Sequence, residues 1–303
     1  MSGFNEIDIE QFMGLSKLNK DLKLAAKTLS DHEVRYLVDT YIQMQKRRIA
    51  SNNAAKAIAK EGEPNNSLVF ITHQNELLED QVRTFLRSYA QSTVVGKWCL
   101  SNLGIGEVVT SGLIAFIDIK KAPTTGHILR FAGQDPTIVW EKGKLRPFNA
   151  RLKVICYYAG LGFRYVCNKQ DADYGKLYKY RKAVETARNE NGDFAEQAKT
   201  ILVTKNFRDD TKAKEVYLTG KLPPAHLDAR ARRWAVRIFL SHLHEVMYWN
   251  HYGIVARRPY SFDNLHHPHV IAPPHLEMLD EKFEKELRKR CPMVTVDQYI
   301  DLH

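Results

Sequence analysis

The sequence predicts a mostly α-helical protein: a helical domain built around a helix-hairpin-helix, with an N-terminal helical arm suited to coiled-coil pairing. Three observations carry this. Apolar residues recur at spacings of three and four along most of the chain, glycine and proline interrupt the pattern at helix-length intervals, and Ser30 and Asn149 stand where helices should begin.

The first element starts at SDHE (30–33), a capping box in which the Ser30 hydroxyl accepts from the Glu33 amide while the Glu33 carboxylate reaches back. Val34, Leu37, Val38, Tyr41 and Ile49 follow at nearly helical spacing, and the helix decays in an Ala/Lys-rich run before Gly62. After EGEPNNS a second stripe runs through Leu78, Val82, Phe85, Leu86 and Tyr89. Two such stripes describe an antiparallel helical pair over residues 1–95, either a packed subdomain or an arm that joins copies of the chain into an oligomer.

Next comes LSNLGIGEVVTSGLIAFIDIKK (100–121), which sets Gly-Ile-Gly between apolar runs. Val94, Val95, Trp98, Cys99 and Leu103 face the core from a first helix, and Val109, Leu113, Phe116 and Ile117 from a second. The glycines permit positive φ and close approach, so the amides of Gly104, Ile105 and Gly106 are expected to point outward at a phosphate, with Lys120 and Lys121 at the far end. Such contacts position a nucleic acid without reading its sequence. A plain tight turn between two core helices would look the same. A dinucleotide-binding loop is disfavoured because the third glycine of GxGxxG is missing.

Pro123 and the loop GQDPTIVWEKGKLRPFN (133–149) complete a hairpin-and-loop segment over 96–150. Between positions 120 and 153 the chain carries Lys120, Lys121, Arg130, Lys142, Lys144, Arg146, Arg151 and Lys153 against only Asp135 and Glu141. This is a basic segment directly after the hairpin.

Asn149 then caps a helix with Leu152, Ile155, Cys156, Ala159, Phe163 and Val166 on one face. A charged helix over 174–190 ends at Asn191-Gly192, another begins near 193, and a long helix over 225–250 follows Pro223-Pro224, completing a helical domain over 151–252. On the long helix His226, Arg230, Arg233, Arg237 and His244 share one face, which is either a phosphate-contacting stripe or a solvated face paired to carboxylates such as Asp228. YGKLYKYRK (174–182) reads either as a base-stacking surface or as half-buried tyrosines. Residues 253–303 form a His/Pro-rich tail, LHHPHVIAPPH (265–275), with a terminal helix over 275–290.

A formal net charge of +10 favours polyanionic partners through steering and counterion release. No run of 18 apolar residues is present and MSGFNEIDIEQF is not a secretory leader, so a cytoplasmic protein without a membrane partner is expected. Cys99, Cys156, Cys167 and Cys291 lie far apart without CxxC, as buried reduced thiols would. The tail histidines lack HExxH and read as packing or solvent-facing groups, so neither metal nor cofactor is expected.

GIGEVVTSGLIAFIDI (104–119) followed by TTGHILRFAGQDP (124–136) resembles the C-terminal half of the transposases of insertion-sequence families 110, 116 and 902. The resemblance runs from Trp98 to Phe163, extends weakly through the arm, and is joined by KLPPAHLDARARRWAVRIFLSHLHEV (221–246). It implies DNA as the partner, in a mobile-element or phage setting in a bacterial host. It also implies a RuvC-like N-terminal part with acidic metal ligands and a nucleophilic serine after the Gly-x-x-Pro element. The chain departs in both places: Asp8, Asp21, Asp31 and Asp39 lie in helical or polar contexts, and Trp140 and Glu141 stand where the serine is expected, with Thr137 the nearby hydroxyl. The reading is therefore a DNA-binding protein, with RNA also open, that holds backbone without cutting it. Two other classes stay open: an active recombinase or nuclease using Thr137 or a metal held in the C-terminal third, and a structural or regulatory protein-binding module.

Overall fold

The computed structural model describes residue 18 and residues 20–60, 62, 65–141, 143–208, 210–258, 263–264 and 266–303. Among the described residues thirteen α-helices make the fold mostly α. They are α1 (Lys20–Ala25), α2 (Asp31–Ile58), α3 (Asn66–Ser92), α4 (Val94–Ser101), α5 (Glu107–Phe116), α6 (Thr125–Phe131) and α7 (Ala150–Val166). Then follow α8 (Asp173–Glu190), α9 (Ala195–Thr204), α10 (Lys212–Leu218), α11 (Pro224–Tyr252), α12 (Glu281–Arg290) and α13 (Val296–Leu302). Between α11 and α13, β1 (Val270–Ile271) pairs in parallel with β2 (Met293–Val294), so the tail is stitched to itself on both sides of α12. No helix among the described residues is long and apolar enough to cross a membrane.

The helix starts obey local chemistry. Ser30 and Glu33 form the expected capping box, the Ser30 amide donating to the Glu33 carboxylate at 2.7 Å. Asn149 Oδ1 accepts from the amides of Arg151 and Leu152, both at 3.0 Å, and so starts α7. The terminal helix begins later than its sequence suggests: Asp280 caps it by accepting from the Lys282 amide at 2.8 Å, and residues 276–278 form a separate 3-10 turn. Val94 and Leu103, expected in the core, are exposed. The inward place beside Leu103 is taken by Asn102, whose side-chain amide donates to Trp98 O at 2.6 Å.

One contiguous core joins residues from all four segments of the chain, from Val34 and Val38 on α2 to Phe283 on α12 and Val296 on α13. Its centre is aromatic. Phe239 on α11 stacks on Trp98 (5.9 Å between centroids) and meets Phe163 and Tyr174 edge-on at 5.6 and 5.1 Å. A smaller cluster of Phe194, Ala198, Tyr217, Leu222 and Leu227 holds α9 and α10 to the start of α11. All four cysteines are free, and three of them, Cys99, Cys156 and Cys291, are buried.

Two histidines of α11 are internal. His242 is buried, its Nε2–H donating to Ile271 O at 2.9 Å while Nδ1 accepts from Tyr174 Oη at 2.8 Å. His244 leaves the expected basic stripe: it is buried, with Nε2–H donating to Ala122 O at 2.9 Å and Nδ1 facing Thr125 Oγ1 at 3.3 Å. Burial pushes the His242 imidazole down to about 4. Because the unfolded histidine holds its proton more tightly, stability is full above its ordinary value near 6.5 and falls as the pH drops toward 4. The expected loss is about 1.4 kcal/mol per pH unit for this one proton across that window. Denaturant unfolding across the window should show this slope in the native chain and a flatter one in His242→Gln.

Candidate nucleic-acid interface

The Gly-Ile-Gly turn joins α4 to α5 as expected, but its close approach is internal. Gly104 has φ +97°, and a Cβ there would lie 3.0 Å from the Gly162 carbonyl carbon. Conversely, a Cβ on Gly162 would lie 2.0 Å from Gly104 O. The two glycines thus let the turn rest directly on α7. Ile105 is buried and its amide donates to Asn102 O at 3.0 Å, which corrects the expectation that it points at a phosphate. Gly106 is extended (φ −93°, ψ 173°), so the turn needs only one left-handed residue. The start of α5 also carries its own anion: the Glu107 carboxylate lies 3.5 Å from Arg83 and 3.0 Å from Arg87.

The basic residues converge elsewhere, on the outer face of α11. Arg230 donates to Glu185 on α8 at 2.7 Å, and Arg181 closes the other side of the same buried carboxylate at 2.8 Å. Burial alone would raise the pKa of Glu185, but the two guanidiniums outweigh it and hold the carboxyl below its ordinary range. Beyond this clamp, Arg233 and Arg237 make no carboxylate ion pair within 4.0 Å among the described residues. Local burial, then the crowding of Arg230 and Arg232, lowers the pKa of Arg233. The same cause, with Arg233, Arg181 and Arg230 as neighbours, lowers that of the half-buried Arg237.

The helices on either side of the loop over 132–149 extend the cluster. Lys153 on α7 packs over the Phe148 ring at 4.0 Å, and burial followed by the charges of Arg233 and Arg146 pulls its pKa down. Arg130, at the end of α6, and Arg237 both act on Asp135, whose carboxylate is held low chiefly by hydrogen bonds from the Thr137 hydroxyl and amide. His226 stands at the other end, its pKa lowered by burial and then by Arg233, Arg230 and Lys205. From His226 to Arg237 the stripe runs eleven positions along the helix, about 16 Å. Asp135 and Glu185 are the carboxylates that face this cluster, fewer than its cations, and an anionic ligand would relieve the excess.

Of the residues singled out in the sequence, Arg130, Arg146, Lys153, Arg230, Arg233 and Arg237 come together here, and Arg181 joins them. Lys144 is on the adjoining loop, paired with Glu141 at 2.8 Å. Lys142 lies outside the described residues. Gly104, Ile105 and Gly106 sit apart, against Gly162, nine residues and about 14 Å along α7 from Lys153. Lys120 and Lys121 also sit apart: Lys121 pairs with Asp118 at 3.4 Å, and this turn meets α11 at His244, about 10 Å of helix beyond Arg237. Tyr174 and Tyr178 of the aromatic-basic run are core groups, Tyr178 Oη donating to Asp228 at 2.6 Å. No three His, Cys, Asp or Glu side chains converge on a metal-sized site among the described residues.

Comparison with protein-family models, with curated proteins and with solved structures finds no match to this chain.

The turn geometry separates the two hairpin glycines. Gly104→Val is strained by its φ and strikes the Gly162 backbone, so thermal unfolding should show a large loss of stability, whereas Gly106→Val, with nothing within 4 Å of its Cβ, should unfold nearly as the native chain does.

Proposed function

We propose that this chain is a DNA-binding protein that holds the phosphate backbone on the arginine-rich face formed by α8, α11 and the loop after α6 (the arginine groove below), without cutting it. The observation that carries this reading is the pair Arg233 and Arg237: Arg233 exposed and Arg237 half-buried beside it, close enough to repel, and neither ion-paired to a carboxylate within 4.0 Å among the described residues. A protein-binding surface of ordinary composition would answer such charges with acids, as Glu185 answers Arg230 and Arg181. The resemblance to the C-terminal part of insertion-sequence transposases supports DNA over other polyanions and suggests a mobile-element or phage origin, inside a bacterial host. The hairpin serves the groove indirectly, by seating α5 on α7.

A second reading has one observation in its favour: the Thr137 hydroxyl donates to Asp135 at 2.7 Å beside the arginine groove, as an activated nucleophile would. The depressed pKa of Asp135 makes it a weak base, which favours the non-cleaving reading.

Salt-dependent binding to duplex, single-stranded and junction DNA tests both, with Mg²⁺ present and the products run on a denaturing gel. Native protein should bind with steep salt dependence and leave the strands intact. Arg233→Ala with Arg237→Ala should reduce the slope of log affinity against log salt by about two and leave thermal stability unchanged or raised. Binding that ignores salt, or is unchanged in the double variant, rules out the groove, and strand scission lost in Thr137→Ala establishes the second reading.

The arm supplies the oligomer in this proposal. Far from the core, α2 and α3 leave Ile49, Ile58, Leu68, Val69, Ile71 and Leu78 exposed, an apolar surface that a second copy would cover. Sedimentation should show an oligomer for the native chain and a monomer of undiminished thermal stability for Leu68→Lys with Ile71→Lys.

A further inference from the structure

The loop over 137–148 presents Val139 at 86% exposure and Leu145 at 96%, the two most exposed large apolar side chains among the described residues. Single exposed apolar residues are ordinary. These two are held out on a braced turn. At its base the Asn149 amide donates to Phe131 O at 2.8 Å, and the Thr137 amide and hydroxyl both donate to Asp135, at 2.9 and 2.7 Å. Across it, Trp140 Nε1 donates to Lys144 O at 2.8 Å, and the Arg146 guanidinium lies over the Trp140 ring at 5.6 Å. The bracing does not bury the tips, and the groove cations Arg130, Arg146 and Lys153 flank the loop.

Resting on the backbone-binding reading above, we propose that this loop is a wedge: Val139 and Leu145 insert between stacked bases while the arginine groove grips the adjoining phosphates. The occupant is fixed by charge and polarity together. An apolar projection rimmed with cations fits a partner that is anionic outside and apolar between its layers, and a nucleic acid has that construction. The contacts of Thr137, Trp140, Lys144 and Arg146 lower the ordering cost of insertion, because they are made before contact. Insertion separates a base step and bends the duplex without making or breaking a covalent bond.

The test compares an intact duplex with one carrying a single-base bulge, both labelled beside the bulge position with a fluorescent adenine analogue that brightens when unstacked. In the bulged duplex the unstacking is already done, so the native chain should bind it about tenfold more tightly or better, and it should brighten the label several-fold in the intact duplex, where the wedge itself must open the step. Val139→Ser with Leu145→Ser, two solvent-exposed changes that leave the core untouched, should abolish both the preference and the brightening while binding the intact duplex with the native salt dependence. Binding by the native chain without preference or brightening, or a variant that retains them, overturns the wedge and leaves the groove standing. Failure of the native chain to bind either duplex overturns both.

Discussion

Everything in this fold is arranged around the side of α11 that carries Phe239. That ring is wholly buried between Trp98 of α4, Phe163 of α7 and Tyr174 of α8, so one side chain decides how three helices lie against the longest one. With its inner face committed to aromatic packing, α11 has its arginines left for the outer face, since 3.6 residues per turn separate Arg233 and Arg237 from Ala235 and Phe239. The basic face is thus a by-product of core geometry, and its rigidity is borrowed from that core.

The charges of the chain divide into those that hold the fold and those left over. Glu185 takes Arg181 and Arg230 and clamps α8 to α11 from a nearly fully buried position. Asp228 takes Arg232 at 2.7 Å and accepts from the Tyr178 hydroxyl. Glu245 and Arg290 form a two-bond pair, each 8% exposed at the side chain, that fastens α12 to α11. Breaking a pair buried to this extent costs about 3–5 kcal/mol, because the survivor is stranded in a low-dielectric setting. Subtracting these structural pairs leaves Arg130, Arg146, Lys153, Arg233 and Arg237 in one region. That remainder, rather than the total charge, is what the proposed backbone binding rests on.

Much of this was legible from residue order. The capping box at Ser30, the Asn149 cap and the start of α11 after Pro223 are local chemistry, and the helical fold class follows from them and from the apolar spacing. The stripe of Arg230, Arg233 and Arg237 was also legible, because helical phase alone puts them on one face. Two things were hidden. Whether an arginine is spent on a carboxylate depends on α8 crossing α11, and Glu185 lies 45 positions from Arg230. The role of the hairpin was misjudged for the same reason: the partner of Gly104 is Gly162, and no local rule connects them. Lys153 was legible in the basic segment and Arg181 in the run over 174–182, but Glu185, four residues after Arg181, reads as its private partner until the crossing of α8 and α11 gives that carboxylate to Arg230 as well.

The contact between Gly104 and Gly162 has a consequence for tracing the ancestry of this chain. The two residues meet backbone to backbone, so neither tolerates a side chain while the other keeps its place. Descent should therefore preserve them as a linked pair at a distance in the sequence, whereas Gly106, facing open space, is free to drift. The conspicuous Gly-Ile-Gly is then a poor key for recognising kin. A better one is a left-handed glycine after a short tryptophan-bearing helix, matched by a second glycine near the end of the helix that Asn149 begins.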